Sequence, residues 1–167
     1  ILSFCELHGI FLSTSLDGPQ ALHDKNRPKP GRDGYLSTTQ GIQRIQKRLG
    51  PEKISALMTT TAASISMPKQ VVDTYVEHGL HSIFLRPLSP YGFAVKTKQA
   101  AKYNSANWLE FFKEGLNYIL EINQSGYPLV EQYTRIILKK LLTPENPGYV
   151  DLQSPAGLGI SVIVYNY

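Results

Sequence analysis

Ser15 and Asp17 stand two residues apart just after a short apolar stretch, Ile10-Phe11-Leu12. In an extended strand that spacing puts both side chains on one face. A hydroxyl able to bond a ribose or a carboxylate would then lie beside a carboxylate able to accept from hydroxyls or an amine. The competing reading is a plain turn, in which the Asp17 side chain bonds its own backbone within Asp17-Gly18-Pro19. Arg27 follows in the same connection. Its planar guanidinium suits a carboxylate ligand, or else it pairs on the surface with Asp24 or Asp33. His23 and Asp24 are an acid/base pair by type, but sequence neighbours do not point together. A structural role such as a capping bond fits them better.

Further along, Thr59, Thr60 and Thr61 close a second apolar run, Ile54 to Met58. An inward hydroxyl there, Thr60 first among them, would meet a ligand, although β-branched residues also simply favour strands. Arg86 interrupts Phe84-Leu85-Arg86-Pro87-Leu88. A charge in such a run needs a partner, either Asp17 or the carboxylate of a peptide. His8, His78 and His81 fall near helix ends and form no convergent metal triad. His78 and His81 flank Gly79, where a histidine can offset helix C-terminal carbonyls. Lys96, Lys98 and Lys102 read as a solvated turn.

The elements that must position these residues alternate. Strands are expected near 10–15, 54–58 and 82–87. Helices are expected near 37–49, where Ile42, Ile45 and Leu49 share a face, and near 67–78, capped by Ser66 and stopped by Gly79. The long stretch between Ser15 and the first of these helices reads as a functional loop. Strand–helix–strand–helix–strand at these spacings implies right-handed βαβ units and a parallel sheet. Beyond Pro90-Tyr91-Gly92 come two helices, near 105–123 with Trp108, Phe111, Phe112, Leu116, Ile119 and Ile122 as a core stripe, and near 129–142. Thr143 to Gly148 breaks the pattern. The domains are therefore read as 1–142 and 143–167, with a last strand at Ile160–Tyr167.

The chain has 167 residues, 42% hydrophobic and 18% charged, with a formal charge of +4. That is a globular composition, with no apolar run of the ~18 residues a membrane span needs. No stripe of Arg and Lys with interleaved aromatics marks a nucleic-acid surface. The single cysteine, Cys5, excludes an internal disulfide framework or a multi-cysteine metal site within this chain. It falls on the apolar side of a first helix that Gly9 ends, which makes it a small buried thiol. The chain starts at Ile1 in mid-helix and ends after an apolar strand, so the expectation is an internal segment of a longer protein.

Ser15-Leu16-Asp17-Gly18-Pro19 followed by His23-Asp24-Lys25-Asn26-Arg27 resembles the middle of radical SAM enzymes that mature peptides and proteins, among them anaerobic sulfatase-maturating enzymes. Leu57-Met58-Thr59-Thr60-Thr61 and Ile83-Phe84-Leu85-Arg86-Pro87-Leu88-Ser89-Pro90 are similar to the His-Xaa-Ser system maturases. The resemblance covers residues 1 to about 95, loosens to about 150 and returns at Ser154–Tyr167. It implies the second half of a partial (β/α)6 TIM-type barrel, followed by helices and the start of an auxiliary, SPASM-like domain. It also implies S-adenosylmethionine (AdoMet) as cofactor, with Ser15 and Arg27 positioning it. Asp17, Thr60 and Arg86 would line the pocket, and the backbone at Leu85 would approach the adenine.

The implied activity is reductive cleavage of AdoMet to a 5′-deoxyadenosyl radical that takes hydrogen from a peptide or small protein. The implied partners are that substrate and an electron donor such as flavodoxin or ferredoxin, in the cytoplasm, without nucleic acid or membrane. The chain departs from the family in lacking the CxxxCxxC loop whose thiolates hold a [4Fe–4S] cluster. Ser154-Pro155-Ala156-Gly157-Leu158-Gly159 also lacks the cysteine that relatives with auxiliary clusters carry. The cluster is therefore expected only in the parent protein, and this chain alone should be inactive. Two other classes stay open. One is a binding module that keeps the barrel and has lost the cluster. The other is a metal-free barrel lyase using Arg86, which would need a strand-end lysine that none of the three strands supplies.

Overall fold

The computed structural model describes residues 1–31, 33–87 and 104–145. The elements run α1 (Leu2–Leu7), β1 (Leu12–Ser15), α2 (Gln20–Asn26), α3 (Gly34–Leu49), a 3-10 turn (Pro51–Lys53), β2 (Ile54–Leu57), α4 (Pro68–Glu77) and β3 (Ser82–Ile83). After residues 88–103 come α5 (Ser105–Gln124), β4 (Val130–Glu131) and α6 (Gln132–Leu142). Two compact units divide the chain, the first being Ile1–Glu131 and the second beginning at Gln132. In the second, α6 buries no residue completely and its Lys139 pairs with Glu145 at 2.9 Å.

Strand pairing among the described residues is parallel, as the alternation of elements requires. β1 pairs with β2 in the register Leu12↔Ile54 to Ser15↔Leu57. The third strand departs from expectation. It covers Ser82–Ile83 only and ladders with β4, Ser82↔Val130 and Ile83↔Glu131, rather than with β2. The physical reason lies one step beyond the pair. The Leu85 amide donates to the buried Glu131 carboxylate, Oε1 at 3.0 Å, and its carbonyl accepts from Trp108 Nε1 at 3.3 Å. Beyond the two-residue ladder, side chains rather than strand backbone partner Leu85. The described residues form two two-stranded parallel sheets in place of one continuous barrel wall.

Three further corrections concern boundaries. The loop expected after Ser15 contains a helix, α2, whose Leu22 and His23 are buried. The helix expected from 129 starts at Gln132, because Val130 and Glu131 are strand. Ser66 does not cap α4. Met67 occupies the N-cap without a side-chain bond, and Pro68 sits at the start, where its missing N–H costs nothing. Lys96, Lys98, Lys102, Ser154–Gly159 and Ile160–Tyr167 lie outside the described residues.

Among the described residues the core is one cluster. Leu16, Ile42, Val71, Val72, Tyr75, Leu80, Ile83 and Leu85 are all at most 1% exposed. It joins α3, α4 and the strands, with Phe111 and Ile119 of α5 behind them. Burying each such aliphatic side chain stabilises by about 1.5–3 kcal/mol. Gly79 ends α4 as expected. Its φ of +64° is left-handed, and the Leu80 amide returns to the Tyr75 carbonyl at 3.0 Å, closing a Schellman motif. The carbonyls of His78 and Gly79 are served by Gln46 of α3, at 2.9 and 3.2 Å. His78 itself turns to Tyr35, with Nε2 at 2.8 Å from the hydroxyl. His81 lies 3.0 Å from the Pro128 carbonyl.

Candidate functional site

The C-terminal ends of β1 and β2 meet at Asp17. β1 stops at Ser15, the Leu16 amide makes a last bond to the Leu57 carbonyl at 3.0 Å, and the chain then turns inward. Gly18 permits the turn. Its φ is +124°, and a Cβ there would approach Val71 Cγ2 at 3.0 Å and Leu22 Cδ2 at 3.2 Å. Asp17 is fully buried. Its Oδ2 accepts from Arg27 Nε at 2.9 Å, and its Oδ1 accepts from Arg27 Nη2 at 3.1 Å and from the Thr59 amide at 3.0 Å. One carboxylate therefore joins the end of β1, the end of β2 and the residue after α2.

One of the two readings of Arg86 pairs it with Asp17, and the surface reading of Arg27 pairs it with Asp24 or Asp33. The structure pairs Asp17 with Arg27 instead. Asp33 meets Lys29 at 3.4 Å, and Asp24 Oδ1 caps α3 by accepting from the Tyr35 amide at 2.8 Å. The structural role read for Asp24 holds. His23, 1% exposed, accepts the Asp17 amide at Nδ1, 3.3 Å away. A ring that accepts there carries its neutral-state proton on Nε2. Burial pushes the His23 pKa down, more than Asp17 and Asp24 raise it, and Arg27 adds to the fall. The ring is thus held neutral and fixes the backbone of Asp17.

Beside this junction lies a pocket of about 630 Å³. It is lined by Ser15 and Thr14 of β1, by Asn26, Arg27 and Lys29, and by Ser37 and Thr38 of α3, among others. Ser15 and Arg27 are thus brought together, and the Arg27 side chain is 37% exposed beside them. Asp17 is not among the lining residues. It stands behind Arg27. Thr60 is fully buried and its Oγ1 has no hydrogen-bond partner, and neither has Asn26 Nδ2. Arg86 is exposed, while Leu85 is buried with its amide hydrogen already given to Glu131.

The sequence reading missed Asn26, Lys29, Thr59 and Glu131. Thr59 stands in the threonine run, but type and spacing there gave no reason to prefer it over Thr60. Glu131 carries no motif signal. Among the described residues no group of three or more His, Cys, Asp or Glu is arranged to hold a metal ion. Cys5 is a buried free thiol. No described helix is long and apolar enough to cross a membrane.

No family model matches the chain. An uncharacterized protein of Synechocystis sp. is 30% identical over 82 residues, 47% of this chain and 20% of that protein. Among solved structures, native anSMEcpe with bound AdoMet aligns with a TM-score of 0.65 at 16% identity, covering 87% of this chain and 40% of that one. The same protein with bound AdoMet and Cp18Cys peptide gives 0.63 at 16% identity over 87% and 40%. With AdoMet and Kp18Cys peptide it gives 0.61 at 16% identity over 84% and 39%. This chain has the mixed helix and strand fold of a portion of that AdoMet-bound protein. It spans about 40% of the length of the solved structures it matches.

Proposed function

We propose that this chain is the AdoMet-facing portion of a radical SAM enzyme that modifies a peptide or protein, its two parallel pairs belonging to one partial (β/α)6 barrel. The observation that carries this reading is the Ser15–Arg27 pocket at the strand ends, in a fold shared with proteins that bind AdoMet. The pocket fits the methionyl end of that cofactor. Arg27 and Lys29 suit a carboxylate, and Ser15 offers a neutral hydroxyl. Asn26 lines the pocket, and its orphaned Nδ2 is a polar group that a polar ligand would satisfy. When bound, AdoMet supplies the reductively generated radical that takes a hydrogen atom from the substrate.

The roles of this chain's residues follow. Arg27 binds and orients the carboxylate, Ser15 holds a neutral oxygen, and the β1–β2 junction keeps both in place. A [4Fe–4S] cluster does not fit these residues, because three thiolates are required and the chain has one cysteine. Its ligands, and the docking site of a flavodoxin- or ferredoxin-type donor, would lie elsewhere in the parent protein. The peptides bound to anSMEcpe support a peptide or protein as substrate.

The test is calorimetric titration of the full-length, anaerobically reconstituted protein with AdoMet. A charge-assisted bond contributes about 1.5–3 kcal/mol and a neutral one about 0.5–1.5 kcal/mol. Arg27→Ala should therefore weaken binding more than Ser15→Ala, and Arg27→Lys should restore it only in part. Unchanged affinity in Arg27→Ala would remove the residue from the site.

A further inference from the structure

Asp17 and Arg27 divide their labour unequally. The Asp17 side chain is 1% exposed and that of Arg27 is 37%. Three hydrogen bonds hold the carboxylate, two from the guanidinium and one from the Thr59 amide. Arg27 lines the pocket beside Ser15, whereas Asp17 is not among its lining residues. A two-point pair fixes the plane of a guanidinium as well as its place. The bonds to Asp17 use Nε and Nη2, and Nη1 carries two further donors. Thr59 Oγ1, 3.4 Å from Nη2, borders the same edge.

We infer that Asp17 is a positioning residue. It does not touch the ligand, and it sets the guanidinium of Arg27 in advance for the carboxylate of AdoMet. The inference rests on the cofactor reading above. Long side chains lose rotamer freedom when they are immobilised at a binding site. Here Arg27 gives up that freedom on folding, so less is lost on binding. A competing effect has the opposite sign. The Asp17 charge, one residue removed from the ligand, repels an incoming carboxylate and offsets the charge of Arg27. Neutralising Asp17 decides between them, since lost positioning weakens binding and lost repulsion tightens it.

The experiment is calorimetric titration of the full-length reconstituted protein with AdoMet and with decarboxylated AdoMet. The unmodified protein should prefer AdoMet. Asp17→Asn should weaken AdoMet binding about tenfold, the scale of one charge-assisted contact. It should change the affinity for the decarboxylated compound much less. In an Arg27→Ala background the Asp17→Asn change should have no further effect, because the residue acts only through Arg27.

Tighter binding in Asp17→Asn would overturn the inference, and so would losses that add in the double variant. Both leave the cofactor reading standing, whereas failure of the unmodified protein to bind AdoMet removes both. A second measurement covers a variant that fails to fold. In the unmodified, ligand-free protein with 15N-labelled arginine, the Arg27 Nε–H should exchange slowly with water. Exchange at the rate of a free arginine would mean that nothing presets the side chain, and the inference would fall.

Discussion

The hydroxyl of Tyr75 donates to the carbonyl of Leu16 at 2.7 Å, inside the core. Burial, with Asp17 nearby, pushes the Tyr75 pKa well above its ordinary value, so the hydroxyl stays a donor. The bond ties α4 to the residue that precedes Asp17. Removing one partner of a buried hydrogen bond leaves the other unsatisfied and costs about 1–3 kcal/mol. Tyr75→Phe should lower the unfolding free energy by that amount, measured as a shift in urea midpoint. It should also loosen the Arg27 clamp, seen as faster exchange of the Arg27 Nε–H. A midpoint within error of the unmodified protein would contradict the role given to Tyr75.

Gly18→Ala should be costly for two separate reasons. The backbone φ of +124° disfavours any side chain, and the new methyl would press on Val71 and Leu22. Strain and overpacking each cost about 1–3 kcal/mol. A larger loss is expected than for Gly41→Ala on α3, where a Cβ meets nothing within 4 Å. Comparing the two melting temperatures settles it, and equal values would sink the expectation.

Breaking the Asp17–Arg27 pair from the exposed side leaves a buried carboxylate without its cation. The penalty for such a break reaches about 3–5 kcal/mol at fully buried sites. Arg27 is partly solvated, so Arg27→Ala should cost about 2 kcal/mol. Adding Asp17→Asn should recover part of that stability, because the neutral amide tolerates burial better. Denaturant titration of the two variants checks the sign, and a double variant less stable than Arg27→Ala would refute it.

Acid should weaken the fold through His23. Its folded pKa lies below the unfolded value of 6.5, because burial disfavours the charged ring. The unfolded state therefore binds more protons in that window, and stability rises with pH. The contribution is present above about pH 6.5 and is lost as pH falls through the lowered folded value. His78, also lowered by burial, shifts stability in the same direction. The two differ in their bonds. A protonated His78 can still donate to the Tyr35 oxygen, whereas a protonated His23 cannot accept the Asp17 amide. His23→Gln should flatten the slope of stability between pH 7 and 5 more than His78→Gln, as read by thermal melts across that range.

Much of this arrangement was legible in the residues. The apolar faces of α3, α4 and α5 repeat at helical spacing, and Gly9 and Gly79 end helices where they were expected to. The end of β1 and the end of α2 bring Ser15 and Arg27 to one pocket. Other parts were not legible, each for a physical reason. α2 is seven residues long with two buried positions, too short for periodicity to register. β4 has two residues, below any pattern. Three acids stand within reach of Arg27 in the chain, and spacing alone cannot choose among them. Burial chose Asp17. Gln46 and Glu131 act on backbone groups of distant elements, and nothing in their local sequence announces that.

The β3–β4 ladder has a consequence in time. Ser82 finds its partner only at Val130, and the amide of Leu85 waits for Glu131. A ribosome adds about 5–20 residues per second, so β3 leaves the exit tunnel seconds before the strand that completes it. During that interval the β1–β2 pair and α4 can already assemble, while Ile83 and Leu85 have no lid. The nascent chain would offer that apolar segment to a chaperone at this stage of its synthesis and would withdraw it once Glu131 emerges.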